Sequence, residues 1–174
     1  IDAGEPLEKI AGLALWREGG VVKTAPRLAV GWSELPDLPW YLLDFEPYRE
    51  QQLRQRSSRE NEALPPPPDA HSPKRKKPYI GISYYSSYGC PLQCTFCCSP
   101  EVSGLRWKAM PAERMLDDMQ ALQERWGFDV VRFYDANYAV MEKRVRAFAQ
   151  GVVDRGLRLW HYPYMQSQSI VRFD

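Results

Sequence analysis

The sequence predicts an α/β fold with a parallel β-sheet in its C-terminal part. Segments rich in β-branched and aromatic residues alternate there with two segments of helical periodicity. The predicted strands are 79–85, 129–134 and 157–164, and the predicted helices are 112–126 and 141–155. Strands that alternate with helices pair in parallel through right-handed connections. Because such sheets carry their functional groups at the carboxyl ends of the strands, we expect the functional residues to follow the strands.

Apolar residues at helical spacing support both predicted helices. The first helix follows Pro111, a favourable residue for a first turn, and Gly127 is a natural end. Its apolar stripe is expected to face the core and consists of Met115, Leu116, Met119, Leu122 and Trp126. The second helix ends before Gly156, and the residues expected to be buried on it are Val145, Phe148, Ala149, Val152 and Val153.

Residues 1–48 are expected to be the C-terminal remnant and connector of an upstream domain. Residues 13–24 predict a small β-hairpin, because the pair Gly19-Gly20 supplies the positive φ that a tight turn requires. Two prolines at 36 and 39 then favour an extended connector. The first residue is not methionine, so we expect a piece of a longer protein.

Residues 49–77 have the composition of a linker. The segment is polar, contains the four prolines 65–68, which favour an extended conformation, and ends in the basic cluster 74–77. Charges beside a linker usually form a solvated face, and the formal net charge of the whole chain is only +1. Nucleic acid is therefore not an expected partner. No run of 18 apolar residues occurs, so no membrane span is expected.

All four cysteines lie between Cys90 and Cys98, and three of them, Cys90, Cys94 and Cys97, have the spacing C-x3-C-x2-C. Such clustering excludes a disulfide framework and indicates a reducing cytoplasm. Three thiolates on one loop can hold three corners of an iron–sulfur cluster and leave one iron open to bind and activate a small molecule. The alternatives are redox-active disulfides and a structural zinc site, which would need a fourth ligand although both histidines are distant in sequence. Cys98 is expected to be a packed free thiol.

Phe96 stands directly before the third cysteine, and the stretch thereby resembles the signature of the radical S-adenosylmethionine superfamily. The resemblance implies that Cys90, Cys94 and Cys97 hold a [4Fe-4S] cluster whose open iron binds the amino and carboxylate groups of S-adenosylmethionine. Reductive cleavage would then give methionine and a 5'-deoxyadenosyl radical, with Phe96 packed near the adenine. The implied fold is an incomplete (βα)6 partial TIM barrel, of which residues 78–174 would be the N-terminal half with the first three strands.

Asp135 and Asn137 follow the second predicted strand, on the same edge of the sheet as the cysteine loop. Their segment, 134–137, departs from the Gly-Gly-Glu that is usual in the superfamily but resembles its cobalamin-dependent branch, which implies contact with the amino group of S-adenosylmethionine. An oxygen of either side chain can accept a hydrogen bond from an ammonium group. The alternative is that one of them caps the turn into the next helix. Residues that could line a substrate or cofactor cavity, without a catalytic role, are His161, Tyr162, Tyr164 and Gln166.

Residues 10–48 also resemble, more loosely, the segment that follows the cobalamin-binding domain of that branch. Together the resemblances imply a radical S-adenosylmethionine enzyme, either a cobalamin-dependent methyltransferase or a radical cyclase. The alternatives are a methylthiotransferase of the same superfamily and, from another class, a zinc-binding module. The implied partners are a small-molecule substrate and an electron donor such as flavodoxin or ferredoxin. Cobalamin would be bound by the upstream domain, and the chain by itself is expected to be inactive.

Overall fold

The computed structural model of the chain describes residues 4, 6–28, 30–55 and 80–173. Two compact units divide the chain, Ile1–Leu35 and Pro36–Asp174. Residues 56–77 of the predicted linker lie outside the described residues, as does Tyr79, the predicted start of the first strand. The predicted domain boundaries at residues 48 and 77 therefore stay predictions.

The first unit contains the predicted β-hairpin. Strands β1 (Ala14–Arg17) and β2 (Gly20–Lys23) pair antiparallel, with Arg17 opposite Gly20. The hairpin is confirmed, but the prediction of its turn residues was wrong, because positive φ occurs at Glu18 (47°) and Gly19 (79°) while Gly20 already belongs to β2. A two-residue turn with positive φ at both positions matches the twist of the flanking strands. One-turn 3₁₀ helices, Leu7–Lys9 and Trp32–Glu34, precede and follow the hairpin.

The second unit is built on a parallel sheet of three strands, which are in spatial order β3 (Gly81–Tyr84), β6 (Val130–Phe133) and β7 (Trp160–Pro163). Tyr84, Phe133 and Pro163 are in register. Its elements are the 3₁₀ helix Trp40–Leu42, α1 Glu46–Gln55, β3 Gly81–Tyr84, β4 Ser87–Gly89, α2 Ser99–Ser103, β5 Trp107–Ala109, α3 Ala112–Trp126, β6 Val130–Phe133, α4 Glu142–Asp154, β7 Trp160–Pro163 and α5 Ser167–Arg172. Among the described residues the sheet is open, and no helix is both long and apolar enough for a membrane span.

The core lies between the sheet and the helices α3 and α4. Phe133 of β6 packs edge-on against Phe148 of α4, with ring centroids 5.6 Å apart, and against Tyr84 of β3 at 5.8 Å. The predicted stripe of α3 is confirmed at four of its five positions. Trp126 is partly exposed, and the buried residues are Met115, Leu116, Met119 and Leu122. Gly127 ends α3 in the left-handed conformation, at a φ of 65°, that glycine adopts without strain.

The buried face of α4 differs from the prediction. Phe148 is buried, but Ala149 is exposed and 72% of Val153 is accessible to solvent, while Val145 and Val152 are partly exposed. The inward face instead includes Arg144, four residues before Phe148. The prediction named only apolar residues and therefore left out Arg144.

The N-terminal part of the predicted linker is helical. Exposed ion pairs at i,i+3 and i,i+4, Glu46–Arg49 and Glu50–Arg54, support α1 although the helix is polar. The side-chain amide of Gln52 donates from Nε2 to the Gly81 carbonyl oxygen at 2.9 Å and accepts from the Gly81 N–H at 2.8 Å. The side chain of Gln52 therefore bonds both backbone groups of Gly81, as a neighbouring strand would, on the edge of β3 that does not face β6.

Candidate functional site

The cysteines lie in the loop of a second hairpin that the sequence did not predict. Strand β4 begins three residues after β3 ends and pairs antiparallel with β5, and residues 90–106 form the loop between them. We call β4, β5 and this loop the cysteine hairpin. Because it follows β3 directly, it stands at the carboxyl edge of the parallel sheet, where the sequence placed the cysteines.

Gly89 joins β4 to Cys90 and cannot be replaced without strain. Its φ is 78°, and a Cβ atom at this position would lie 2.0 Å from the carbonyl oxygen of Arg106. Only glycine permits both the left-handed backbone and this close approach of the two legs of the hairpin. Glycine directly before the first cysteine is therefore a structural requirement for the start of the loop.

The four cysteines are free thiols in different surroundings. Cys90 is buried, Cys94 is partly exposed, and Cys97 and Cys98 are exposed, so the prediction that Cys98 is packed was wrong. The N–H of Cys97 donates to the Cys94 carbonyl oxygen at 3.0 Å, which places these two residues on one turn. The Ser99 N–H donates to Cys97 Sγ at 3.4 Å and holds the pKa of this thiol below its usual range. The hydrogen bond favours the thiolate, which is the form that binds metal.

The donor set of the loop consists of thiols, and its binding of a cluster stays a prediction. A zinc site needs ligands that converge on one ion, and in the part of the chain that the structure describes no three His, Cys, Asp or Glu side chains do so. An iron–sulfur cluster binds its thiolates on separate irons, so the cysteine sulfur atoms lie farther apart than the ligands of a single zinc ion. Three cysteines on one loop, two of them on the same turn, supply the required soft donors.

Phe96 lies on the same turn, and 92% of its surface is accessible to solvent. A large exposed aromatic ring between two cysteines is free to pack against a ligand. Its predicted contact with the adenine of S-adenosylmethionine stays a prediction.

Asp135 ties the end of β6 to the cysteine hairpin. Its carboxylate is buried, and Oδ1 accepts from the N–H groups of Ser86 at 2.7 Å and Ser87 at 3.1 Å. Oδ2 accepts from the Ser86 hydroxyl at 2.5 Å. Asp135 and the cysteine hairpin are therefore adjacent, as their positions after neighbouring strands predict. Contact between Asp135 and S-adenosylmethionine stays a prediction.

Asn137 is buried, and its Oδ1 has no hydrogen-bond partner among the described residues. Neither Asn137 nor Asp135 caps the following helix, because the N-cap of α4 is Met141 and no side chain caps it. An unpaired buried acceptor costs about 1–3 kcal/mol, so such an atom usually has a partner that the protein itself does not supply. The geometry of Asn137 suits a ligand that donates a hydrogen bond.

Arg144 belongs to the same site and was missed by the sequence analysis. Its Nε donates to the Met110 carbonyl at 2.9 Å, and Nη2 donates to the Ser86 carbonyl at 3.0 Å and to the Ser86 hydroxyl. Nη2 lies 4.0 Å from Asp135 Oδ2. Burial lowers the pKa of Arg144, while the nearby Tyr138 and Asp135 raise it, and the guanidinium remains charged.

The residues of the third strand separate into two groups. His161 packs beside Phe148 and Phe133, with ring centroids at 5.8 and 6.4 Å, so it belongs to the core between sheet and helices rather than to a cavity at the strand ends. Tyr164 follows β7 directly and contacts Tyr134, which follows β6 and contacts Tyr85 after β3. Three tyrosines thus form a row along the carboxyl edge of the sheet.

Two curated proteins are similar to the chain in sequence. The bacteriochlorophyllide d C-12(1)-methyltransferase of Chlorobaculum tepidum is 35% identical over 98 residues, which cover 53% of this chain and 22% of that protein. An uncharacterized methyltransferase of Pyrococcus horikoshii is 29% identical over 158 residues, which cover 90% of this chain and 29% of that protein. The chain therefore spans less than a third of the length of these curated relatives, and no protein-family model matches it.

Among solved structures, the chain is similar to the cobalamin-dependent S-adenosylmethionine radical enzyme OxsB, determined with aqua-cobalamin and S-adenosylmethionine bound. The TM-score is 0.60 at 14% identity, and the match covers 92% of this chain and 20% of the OxsB chain. A likeness at this identity concerns the fold alone. The predicted α/β fold with a parallel sheet is confirmed, and its similarity to part of OxsB is consistent with the predicted partial barrel.

Proposed function

We propose that the chain is part of a radical S-adenosylmethionine enzyme in which Cys90, Cys94 and Cys97 hold a [4Fe-4S] cluster. The observation that carries this proposal is the position of the three thiols on one hairpin loop at the carboxyl edge of a parallel sheet, beside the buried Asp135 and Asn137. The edge is where parallel sheets bind their ligands.

When bound, the cluster supplies the electron that cleaves S-adenosylmethionine to methionine and a 5'-deoxyadenosyl radical. The residues of the chain itself bind and orient S-adenosylmethionine. The unpaired Oδ1 of Asn137 accepts a hydrogen bond from the ammonium group of S-adenosylmethionine, which satisfies a buried acceptor. The exposed ring of Phe96 packs on the adenine. Asp135 holds the start of the cysteine hairpin through Ser86 and Ser87, in addition to any contact with the ligand.

We propose methyl transfer with cobalamin as the reaction of the whole protein. Two relatives are named methyltransferases, and the structural neighbour is a cobalamin-dependent enzyme, which supports methyl transfer over radical cyclisation. The acceptor is a small molecule, and an electron donor such as flavodoxin or ferredoxin reduces the cluster. The proposed location is the cytoplasm, where thiols stay reduced.

Anaerobic reconstitution of the full-length protein with iron and sulfide tests the proposal. We expect a brown protein whose reduced cluster gives an electron paramagnetic resonance signal that shifts when S-adenosylmethionine is added. Cys94→Ala should lose the signal, whereas the matched variant Cys98→Ala should keep it, because Cys98 is not one of the three ligands. A colourless protein that contains zinc, keeps no iron and does not respond to S-adenosylmethionine would contradict the proposal and favour the zinc-binding module.

A further inference from the structure

We propose that Arg144 is a positioning residue that closes the base of the cysteine hairpin and thereby fixes Cys90. Its role toward a cluster depends on the function proposed above, whereas its role in closing the hairpin does not. The proposal is derived from the buried contacts of Arg144 with both legs of the hairpin.

The two legs meet at Ser86 and Met110. Ser86 immediately precedes β4, Met110 immediately follows β5, and the Met110 N–H donates to the Ser86 carbonyl at 2.8 Å. The guanidinium of Arg144 spans this junction, since it donates from Nε to the Met110 carbonyl at 2.9 Å and from Nη2 to the Ser86 carbonyl at 3.0 Å. One side chain therefore bonds the residues at which the hairpin starts and ends.

Asp135 holds the same junction from β6. Its carboxylate accepts from the Ser86 N–H and hydroxyl, so Ser86 is bonded to an anion and a cation at once. Ser86, Asp135 and Arg144 are all buried, at 0%, 1% and 7% exposure. Hydrogen bonds to charged groups are stronger than those between neutral groups, and burial shields them from competing water. The base of the hairpin is therefore fixed more firmly than its loop.

Lysine cannot replace the guanidinium in this arrangement. Arg144 also donates from Nη1 to the Tyr138 carbonyl at 3.3 Å, and its guanidinium carbon lies 5.1 Å from the centroid of the Tyr138 ring. A planar group with five donors reaches carbonyls in three directions, whereas an ammonium is a point charge on a flexible stem. Arg144→Lys keeps the charge beside Asp135 but loses the simultaneous contact with both legs.

The thiol that depends on this base is that of Cys90. It follows β4 through Gly89 and is only 9% exposed, while Cys97, farther along the loop, is exposed. Opening of the base would free Cys90 and leave the environment of Cys97 unchanged. The reactivity of Cys90 therefore reports on the base of the hairpin, and the reactivity of Cys97 reports on the loop.

The test measures alkylation of each cysteine by iodoacetamide in the metal-free, reduced protein, with mass spectrometry of the peptides. In Arg144→Lys we expect Cys90 to be alkylated about tenfold faster than in the wild-type protein, because local opening gives reagents access to buried groups. The alkylation rate of Cys97 should stay the same. Arg155→Lys is the matched control. Arg155 follows α4 and bonds Asp117 and Glu113 on α3 rather than a residue of the cysteine hairpin, so neither rate should change.

Far-UV circular dichroism establishes that each variant is folded. If Arg144→Lys does not fold, Ser86→Ala is tested instead, because this substitution removes only the hydroxyl that bonds both Arg144 and Asp135. We expect the alkylation rate of Cys90 to rise severalfold in Ser86→Ala. An unchanged Cys90 rate in the folded variant would overturn the proposal. After reconstitution, Arg144→Lys should hold less iron per chain than Arg155→Lys. If the wild-type protein binds no cluster but Cys90 still becomes reactive in Arg144→Lys, Arg144 retains its role in the hairpin and the proposed function fails.

Discussion

Asp135 and Arg144 are residues of opposite charge buried side by side, with their closest side-chain atoms 4.0 Å apart. Removing one member of such a pair leaves an uncompensated charge and costs about 3–5 kcal/mol. A substitution that deletes the charge of Arg144 would therefore test the stability of the fold rather than the geometry of the hairpin. This is why lysine is the informative replacement.

His161 makes the stability of the protein dependent on pH. Burial beside Phe133 and Phe148 lowers the pKa of His161 from its ordinary value of 6.5. The unfolded chain therefore binds a proton near pH 6.5 that the folded protein excludes, and stability falls as the pH decreases below this value. We expect the free energy of unfolding, measured by urea denaturation, to fall less in His161→Phe than in the wild-type protein when the pH is lowered from 7.5 to about 5.5. Equal losses in both proteins would show that His161 does not contribute.

The cysteine spacing predicted that the three thiols share one loop, because the spacing of residues along a short segment is a local property of the sequence. Burial of Arg144 could not be predicted in the same way. Its partners Ser86 and Met110 are 58 and 34 residues away, and an arginine in an amphipathic helix usually faces solvent. The absence of a hydrogen-bond partner for Asn137 Oδ1 among the described residues likewise depends on the folded surroundings and could not be predicted from the sequence.

At the scale of elements, the long periodic segments were predicted best. The bounds of α3 agree with the prediction, and β6 lies inside the predicted strand 129–134. Strands β4 and β5 have three residues each, which is too short for an alternating pattern to be recognised. Helix α1 lacks an apolar stripe, so its polar composition resembled that of a linker.

Helices α3 and α4 approach closely at Gly151. A Cβ atom there would lie 2.2 Å from Cδ1 of Leu116. Alanine normally stabilises a helix interior by about 1 kcal/mol relative to glycine, but overpacking costs about 1–3 kcal/mol. We therefore expect Gly151→Ala to lower the free energy of unfolding, measured in urea, and to become stabilising in a Leu116→Ala background. A gain in stability with Leu116 present would contradict this close packing.

At the scale of the second unit, helix α1 is attached to the sheet rather than separate from it. Phe45, directly before α1, stacks on Trp126 at the end of α3, with ring centroids 4.7 Å apart. Gln52 then occupies hydrogen-bonding groups on the free edge of β3. An edge strand with unpaired backbone groups can associate with other chains, and Gln52 occupies these groups at Gly81.

Substitution of Gln52 measures this attachment. Gln52→Ala removes both hydrogen bonds to Gly81 and should lower the free energy of unfolding by about 1–2 kcal/mol. Gln51→Ala, at an exposed position on the same helix, is the matched control and should have little effect. Equal effects of the two substitutions, measured by urea denaturation, would show that α1 does not contribute to the stability of the sheet.

The cysteine hairpin also has a consequence for the order in which the protein is made. Its legs and all four cysteines have been synthesised once the ribosome has passed Met110, whereas Asp135 and Arg144, which hold its base, follow later. Contacts between distant residues form late, because chain entropy opposes them until neighbouring elements have packed. A nascent chain that has not yet reached α4 therefore carries its thiols on a hairpin whose base is not yet held, and the cysteines reach their folded geometry only after β6 and α4 have been made.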